Sequence, residues 1–232
     1  MVTRSRGFSR HLIPLFIATC AVGAQAAPNL VVNGDFTAGN TSFSSNYAFS
    51  SASNSTEGQY TVRSNPYPWN GAFISAGDHT TGSGLMYVGN GSPVDGAKVW
   101  ESGPLSVLQN TDYFFEAFVM NVCCSSTFPN NSAAILEFSI SSQSLGIATT
   151  NLLLAGTWEG LSKTWNSGLN TSVMLSLINR NTAAAGNDFA IDDVYLGTAS
   201  TVTPVPEPET YALMLAGLAA MGALARRRRA IR

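Results

Sequence analysis

Charge is scarce in this 232-residue sequence: only 11% of its residues are Asp, Glu, Lys or Arg, and 12 of them are Lys or Arg. Arg4, Arg6 and Arg10 stand near the N-terminus and Arg226, Arg227, Arg228, Arg229 and Arg232 near the C-terminus. The stretch 27–203 therefore keeps only Arg63, Lys98, Lys163 and Arg180 against twelve Asp and Glu. Binding nucleic acid needs clustered Lys and Arg, so an acidic body with four scattered cations argues against it. Divalent cations and neutral glycans suit such a surface better.

Cysteine and histidine are equally sparse. Of 3 Cys, Cys20 lies in an N-terminal segment that reads as removable, which leaves the adjacent pair Cys123 and Cys124. A disulfide framework of the kind that staples small secreted folds is thereby excluded. Neighbouring Cα atoms lie about 3.8 Å apart, below the usual disulfide range. The pair has three outcomes open to it: a vicinal disulfide at a loop tip, a bridge to another chain, or two free thiols. The body has one histidine, His79 beside Asp78, and lacks the G-x-S-x-G, H-E-x-x-H, C-x-x-C and G-x-G-x-x-G arrangements. A Ser-His-Asp triad through His79 has no nucleophile that the sequence singles out. Glu116 and Glu137 could form a glycosidase pair in principle, but strand solvation and structural pairing account for them. The expectation is a protein that is not an enzyme.

A sustained helical period is also missing between residues 27 and 203. Alternation takes its place: Leu136, Phe138 and Ile140 interleave with Glu137 and Ser139, and Val173, Leu175 and Leu177 share a face. Further strand candidates are 30–32, 59–62, 85–88, 113–122, 158–165 and 189–196, separated by turn-rich loops such as GNGSPVDG and RNTAAAGND. Abundant Ser, Thr, Asn and Gly supplies turns and weakens helix. Eight to ten strands without an internal repeat predict an all-β fold, a single jelly-roll β-sandwich over 27–197, followed by a linker over 198–204.

Both ends fall outside that body. Arginines in residues 1–11, the apolar run LIPLFIATCAVGA and small residues at Ala24 and Ala26 read as a signal peptide over 1–26. A lipoprotein signal ending at Cys20 fits less well, because Thr19 precedes it and apolar sequence continues beyond it. At the other end, Pro206, Glu207 and Pro208 precede an apolar stretch over 211–225 and the cluster Arg226, Arg227, Arg228 and Arg229. As a helix that stretch covers roughly 22 Å, short for a permanent span. The arginines would hold the cytoplasmic side of the inner membrane, and the prolines keep the preceding segment extended.

This order over 205–232 resembles the PEP-CTERM sorting signal of Gram-negative bacteria that make exopolysaccharide. The resemblance implies that exosortase is the processing partner, that residence in the membrane is transient, and that the protein ends at the cell surface or in the extracellular matrix. A plain tail anchor is the alternative. Either way the body is exported.

Two motifs bracket the body: NLVVNGDF at 29–36 and GNDFAIDDVYLG at 186–197. Together they resemble the first and last strands of galactose-binding-like jelly rolls, which include many carbohydrate-binding modules. The resemblance implies adjacent terminal strands that share a structural calcium ion, with Asp35 and Asp192 as carboxylate ligands. Thr37 stands where the family often has an acidic residue. Strand alternation puts Asp192 and Asp193 on opposite faces, so one of them at most reaches such an ion.

A sugar ring stacks on an aromatic face while polar side chains bond its hydroxyls. The segment SNPYPWNGAF places Tyr67, Trp69 and Asn70 among prolines that would stiffen a platform, whereas Trp100, Trp158 and Trp165 read as core. The sequence thus points to an exported carbohydrate-binding jelly roll with a polysaccharide ligand. The alternative is a structural surface or matrix protein without a discrete ligand site.

Overall fold

Period-two patterning becomes two stacked sheets in the computed structural model, which describes residues 28–53, 56–124, 132–183, 186–202 and Met221. The signal peptide, the Pro206-Glu207-Pro208 motif, the apolar stretch 211–225 and the arginine cluster fall outside the described residues, Met221 excepted. In chain order the strands are β1 (Phe43–Ser44), β2 (Ala48–Phe49), β3 (Gln59–Arg63), β4 (Met86–Asn90), β5 (Lys98–Ser102), β6 (Leu105–Ser106) and β7 (Asp112–Asn121). They continue with β8 (Ile135–Ile140), β9 (Gln143–Thr149), β10 (Glu159–Asn166), β11 (Ser172–Val173), β12 (Leu175–Asn179) and β13 (Phe189–Gly197). One sheet runs β1-β5-β12-β8-β9, the other β10-β7-β13-β4-β3-β2, and β6 pairs with β11. The neighbours are antiparallel except β2 and β3. The all-β sandwich expected from the sequence is the observed fold.

The core lies between the sheets. Phe115, Val119, Ile191 and Leu196 of the six-stranded sheet face Trp100, Leu136, Phe138 and Leu177 of the five-stranded one, all fully buried. Phe115 and Phe138 meet edge to face across the gap with ring centroids 4.8 Å apart, a favoured aromatic geometry. Trp100 and Trp165 are in this core, as the alternation implied. Trp158 is not. It packs beside a second cluster on the outer face of the six-stranded sheet, formed by Trp69, Phe73, Met86, Val88, Met120, Val122, Cys123 and Ala190.

That second cluster corrects the sugar-platform reading of Trp69. The loop after β3 folds back over the sheet, and Trp69 is 1% exposed, with its Nε1 donating to the Ser50 carbonyl at 3.0 Å. A Trp in a polar loop lids the apolar outer ends of β4, β7 and β13 because those residues would otherwise meet water. Tyr67 stays exposed, and Asn70 spends its Oδ1 on the Ala72 amide.

The N-terminal segment is a second correction. Residues 30–32 are not a strand; the chain from Asn29 to Asp35 is a turn tied along β13. Leu30 N donates to Leu196 O, Val194 N to Gly34 O, and the Asn29 side chain bonds both Val194 O and Leu196 N. Side-chain amides thus replace part of a ladder. Gly34 is required by close approach: a Cβ there would sit 2.1 Å from Val194 O.

Candidate functional site

Within β13 the inward positions are Phe189 and Ile191, then Val194 and Leu196. Strict alternation would drive Asp193 into the core. Instead the register with β7 shifts between Asp192 and Tyr195, and Asp193 takes a φ of 45°. A β-bulge absorbs one residue, restores the apolar phase and re-aims the carboxylate. The expectation that Asp192 and Asp193 point to opposite faces is therefore overturned: both reach the loop before β4.

That loop, residues 77–84, is organised by Asp78. Its carboxylate accepts the amides of Thr81 and Gly84 and the Thr81 hydroxyl, and these bonds hold its pKa below the ordinary value against the effect of burial. The closed loop presents His79 and Thr80 to β13. Asp192 Oδ2 accepts the amides of His79 and Thr80 at 2.8 and 3.1 Å, and the Thr80 hydroxyl at 3.2 Å. His79 Nδ1 lies 2.6 Å from Asp193 Oδ2, and the Thr80 hydroxyl donates to Asp193 Oδ1 at 2.8 Å. The imidazole stacks on Phe118 of β7 with centroids 3.6 Å apart and an interplanar angle of 14°.

Burial, with the Asp193 charge adding to it, pushes the Asp192 carboxyl up to about 7. Its Oδ1 is buried and, among the described residues, has no hydrogen-bond partner. Asp35, the other calcium ligand expected from the sequence, spends Oδ1 on the amide and hydroxyl of Thr37. Among the described residues, the single group of three His, Cys, Asp or Glu side chains close enough to share a metal is Cys123, Cys124 and Asp188. There the two sulfurs are joined as a disulfide, so no thiolate is available to a metal.

The Asn29–Asp35 turn, the 77–84 loop and β13 enclose an open cavity of about 510 Å³ lined by Asp35, His79, Thr80, Phe118, Asp193 and Tyr195. Thr201 completes one wall. That wall is fixed by Glu116, whose carboxylate accepts the hydroxyls of Ser162, Ser200 and Thr201 and the amide of Thr201. Burial raises the Glu116 pKa, but these donors outweigh it and hold the group below the usual value. Ser200 to Val202, read from the sequence as linker, are thereby bound down on the sheet.

Tyr67, Trp69 and Asn70 do not line this cavity. Glu116 and Glu137 do not converge either: Glu116 belongs to β7, whereas Glu137, on β8 in the opposite sheet, pairs with Arg180 at 2.6 Å. Sequence reasoning missed His79, Thr80, Phe118 and Asp193 as one constellation. The available signal was the doubled Asp that breaks the β13 alternation, together with the body's single histidine in a Gly- and Thr-rich loop.

Residues 204–229 match the PEP-CTERM protein-sorting motif. No curated protein matches the sequence. Among solved structures, the chain is similar to the Stig cyclase Fisc from Fischerella sp. TAU, in complex with (3Z)-3-(1-methyl-2-pyrrolidinylidene)-3H-indole, at 12% identity. That likeness covers 74% of this chain and 97% of the cyclase, with a TM-score of 0.52. A further cyclase from Fischerella sp. TAU is 14% identical over 76% of this chain and 100% of its own, with a TM-score of 0.51. The sugar-binding EclA C-terminal domain is 14% identical over 44% of this chain and 67% of its own, with a TM-score of 0.37. At these identities the cyclase likeness is one of fold.

Proposed function

We propose that this chain is an exported, exosortase-processed protein of the cell surface or extracellular matrix whose jelly-roll body binds a carbohydrate polymer. The sorting motif over 204–229 supports export and processing. The cavity carries the binding reading: within an open concavity of about 510 Å³, aromatic rings stand beside two carboxylates, Asp193 oriented by the 77–84 loop and Asp35 by Thr37. Ligand sites pair apolar or aromatic walls with a few oriented polar groups in this way, and the volume falls within the range of about 300–1,000 Å³ usual for them. Ligand recognition thus moves from Tyr67 and Trp69 to Asp35, His79, Phe118 and Asp193.

The test is retention of the purified protein on a panel of immobilised polysaccharides, including the matrix of the bacterium that makes it. A His79→Ala variant that melts normally is expected to lose retention, whereas Tyr67→Ala keeps it. A folded protein that no polysaccharide retains would return the reading to a structural matrix component. Processing is tested separately by intact mass: the mature protein is expected to lack Arg226–Arg229, and an exported protein still ending in Arg232 would overturn it.

A second reading is favoured by the orphaned Asp192 Oδ1. A buried carboxylate oxygen without a donor suits a hard cation, and calcium takes six to eight oxygen ligands in loose geometry. Asp192 would hold the ion through Oδ1, its Oδ2 being occupied by the His79 and Thr80 amides. Calcium would supply positive charge where two adjacent carboxylates meet. Asp35 would contribute through Oδ2, its Oδ1 being engaged by Thr37.

A further inference from the structure

The charges around the cavity are one-sided. Asp35 and Asp193 line it, Glu116 stands behind its Thr201 wall, and Asp192 lies behind His79 and Thr80. No Lys or Arg is among the lining residues. The cations of the body are placed or engaged elsewhere: Lys98 pairs with Glu101, Arg180 with Glu137 and Asp95, Lys163 Nζ donates to Ile147 O, and Arg63 ends β3. His79, which faces the cavity, is engaged by Asp193 through Nδ1.

We infer that the glycan taken by this cavity carries a protonated amine, that is, an amino-sugar unit, whose ammonium lies against Asp35 and Asp193. This rests on the carbohydrate reading above and narrows its ligand. Carboxylates in a concave, partly desolvated site are costly without a counter-charge. An ammonium supplies three donors and the missing charge, and charge-assisted bonds are roughly twice as strong as those of neutral hydroxyls. A sugar carrying a carboxylate, sulfate or phosphate meets repulsion from Asp35 and Asp193. Among the described residues, Asp35, His79 and Asp193 do not form a three-residue group close enough to share one metal. Asp35 is the specificity group: Asp193 is held by His79 and Thr80, whereas among the described residues the bonds of Asp35 are confined to Oδ1.

The experiment compares chitosan beads with chitin beads, two polymers of one backbone that differ in whether the amine is free or acetylated. Residues 27–203 serve as the protein, since the core, the Asn29 ties and the Glu116 strap all lie within them. Mildly acidic buffer with chelator keeps the amine protonated and an ordinary Asp ionised. Retention on chitosan, none on chitin, and a roughly tenfold loss of affinity in Asp35→Asn but not in Asp95→Asn is the expected result, an exposed aspartate that does not line the cavity serving as the charge control. Equal retention on both polymers overturns the amine assignment and leaves carbohydrate binding standing. Equal losses in both variants reduce the effect to bulk charge and overturn it too. Binding confined to a uronate polymer in calcium overturns it in favour of a cation bridge, and binding to no polysaccharide removes both readings.

Discussion

Asp192 and Asp193 are consecutive in β13, yet both lie within hydrogen-bond distance of one hydroxyl, that of Thr80, at 3.2 and 2.8 Å. Consecutive strand residues ordinarily face opposite ways. The bulge that brings them together also keeps Val194 and Leu196 in the core, so the site is a by-product of register repair. Two carboxylates side by side repel, and the loop answers with two backbone amides, a hydroxyl and the His79 ring.

Because Trp69 is a lid, its removal is expected to unfold rather than blind the protein. Trp69→Ala should cost about 3–5 kcal/mol, the range for large aromatic truncations in a packed cluster. Tyr67→Ala, at an exposed position, should stay within about 0.5 kcal/mol of wild type. Urea unfolding of the two variants measures both.

The tie between the N-terminal turn and β13 depends on the absence of a side chain at Gly34. Gly34→Ala places a methyl group 2.1 Å from Val194 O and must break the Val194–Gly34 hydrogen bond. A loss on the order of 2 kcal/mol or more is expected. Gly71→Ala, where nothing lies within 4 Å, is the control and should leave the melting temperature unchanged.

Asp188 gives a pH dependence of defined sign. Burial, opposed by the Gly91 amide and aided by the Glu57 charge, pushes its pKa from 3.8 up to about 6. Between these values the folded chain holds a proton that the unfolded chain has released. Its contribution to stability is therefore full below about pH 4 and lost as pH rises through about 6, on the order of 3 kcal/mol in all. Asp188→Asn should remove that slope. The difference between wild-type and variant unfolding free energies across the window isolates it from Glu116 and Glu137, whose lowered pKa values act in the opposite sense.

If calcium sits on Asp192 Oδ1, millimolar calcium should raise the melting temperature of the wild type and leave Asp192→Asn unmoved. Stabilisation follows from binding to the folded state alone. A wild-type melting curve that is identical in calcium and in chelator sinks the calcium reading.

Sequence pattern alone was enough for the sheet character of the body. Leu136, Phe138 and Ile140 alternate, and the runs at β7, β10 and β13 are legible as apolar and aromatic segments bounded by turn-rich loops. The short edge strands β1, β2 and β6 were not, since two residues carry no period. Trp69 was misplaced because a polar, Pro-rich neighbourhood does not reveal that an apolar sheet face waits beneath it. The sequence suggests only strand solvation and structural pairing for Glu116, because the buried site that holds it is built by Ser200 and Thr201, 84 and 85 residues away.

The sequence by itself determined the sorting tail, a linear address that needs no partner in the fold, together with the acidic character of the body and its period-two strands. Those are properties of order and composition, and they survive without knowledge of contacts. Only the tertiary structure decided which carboxylates would be neighbours. His79 and Asp193, 114 residues apart in sequence, meet because a bulge shifts the phase of one strand while Asp78 closes the opposing loop. Register and loop closure are long-range choices, so the cavity built from them is written in no single stretch of the chain.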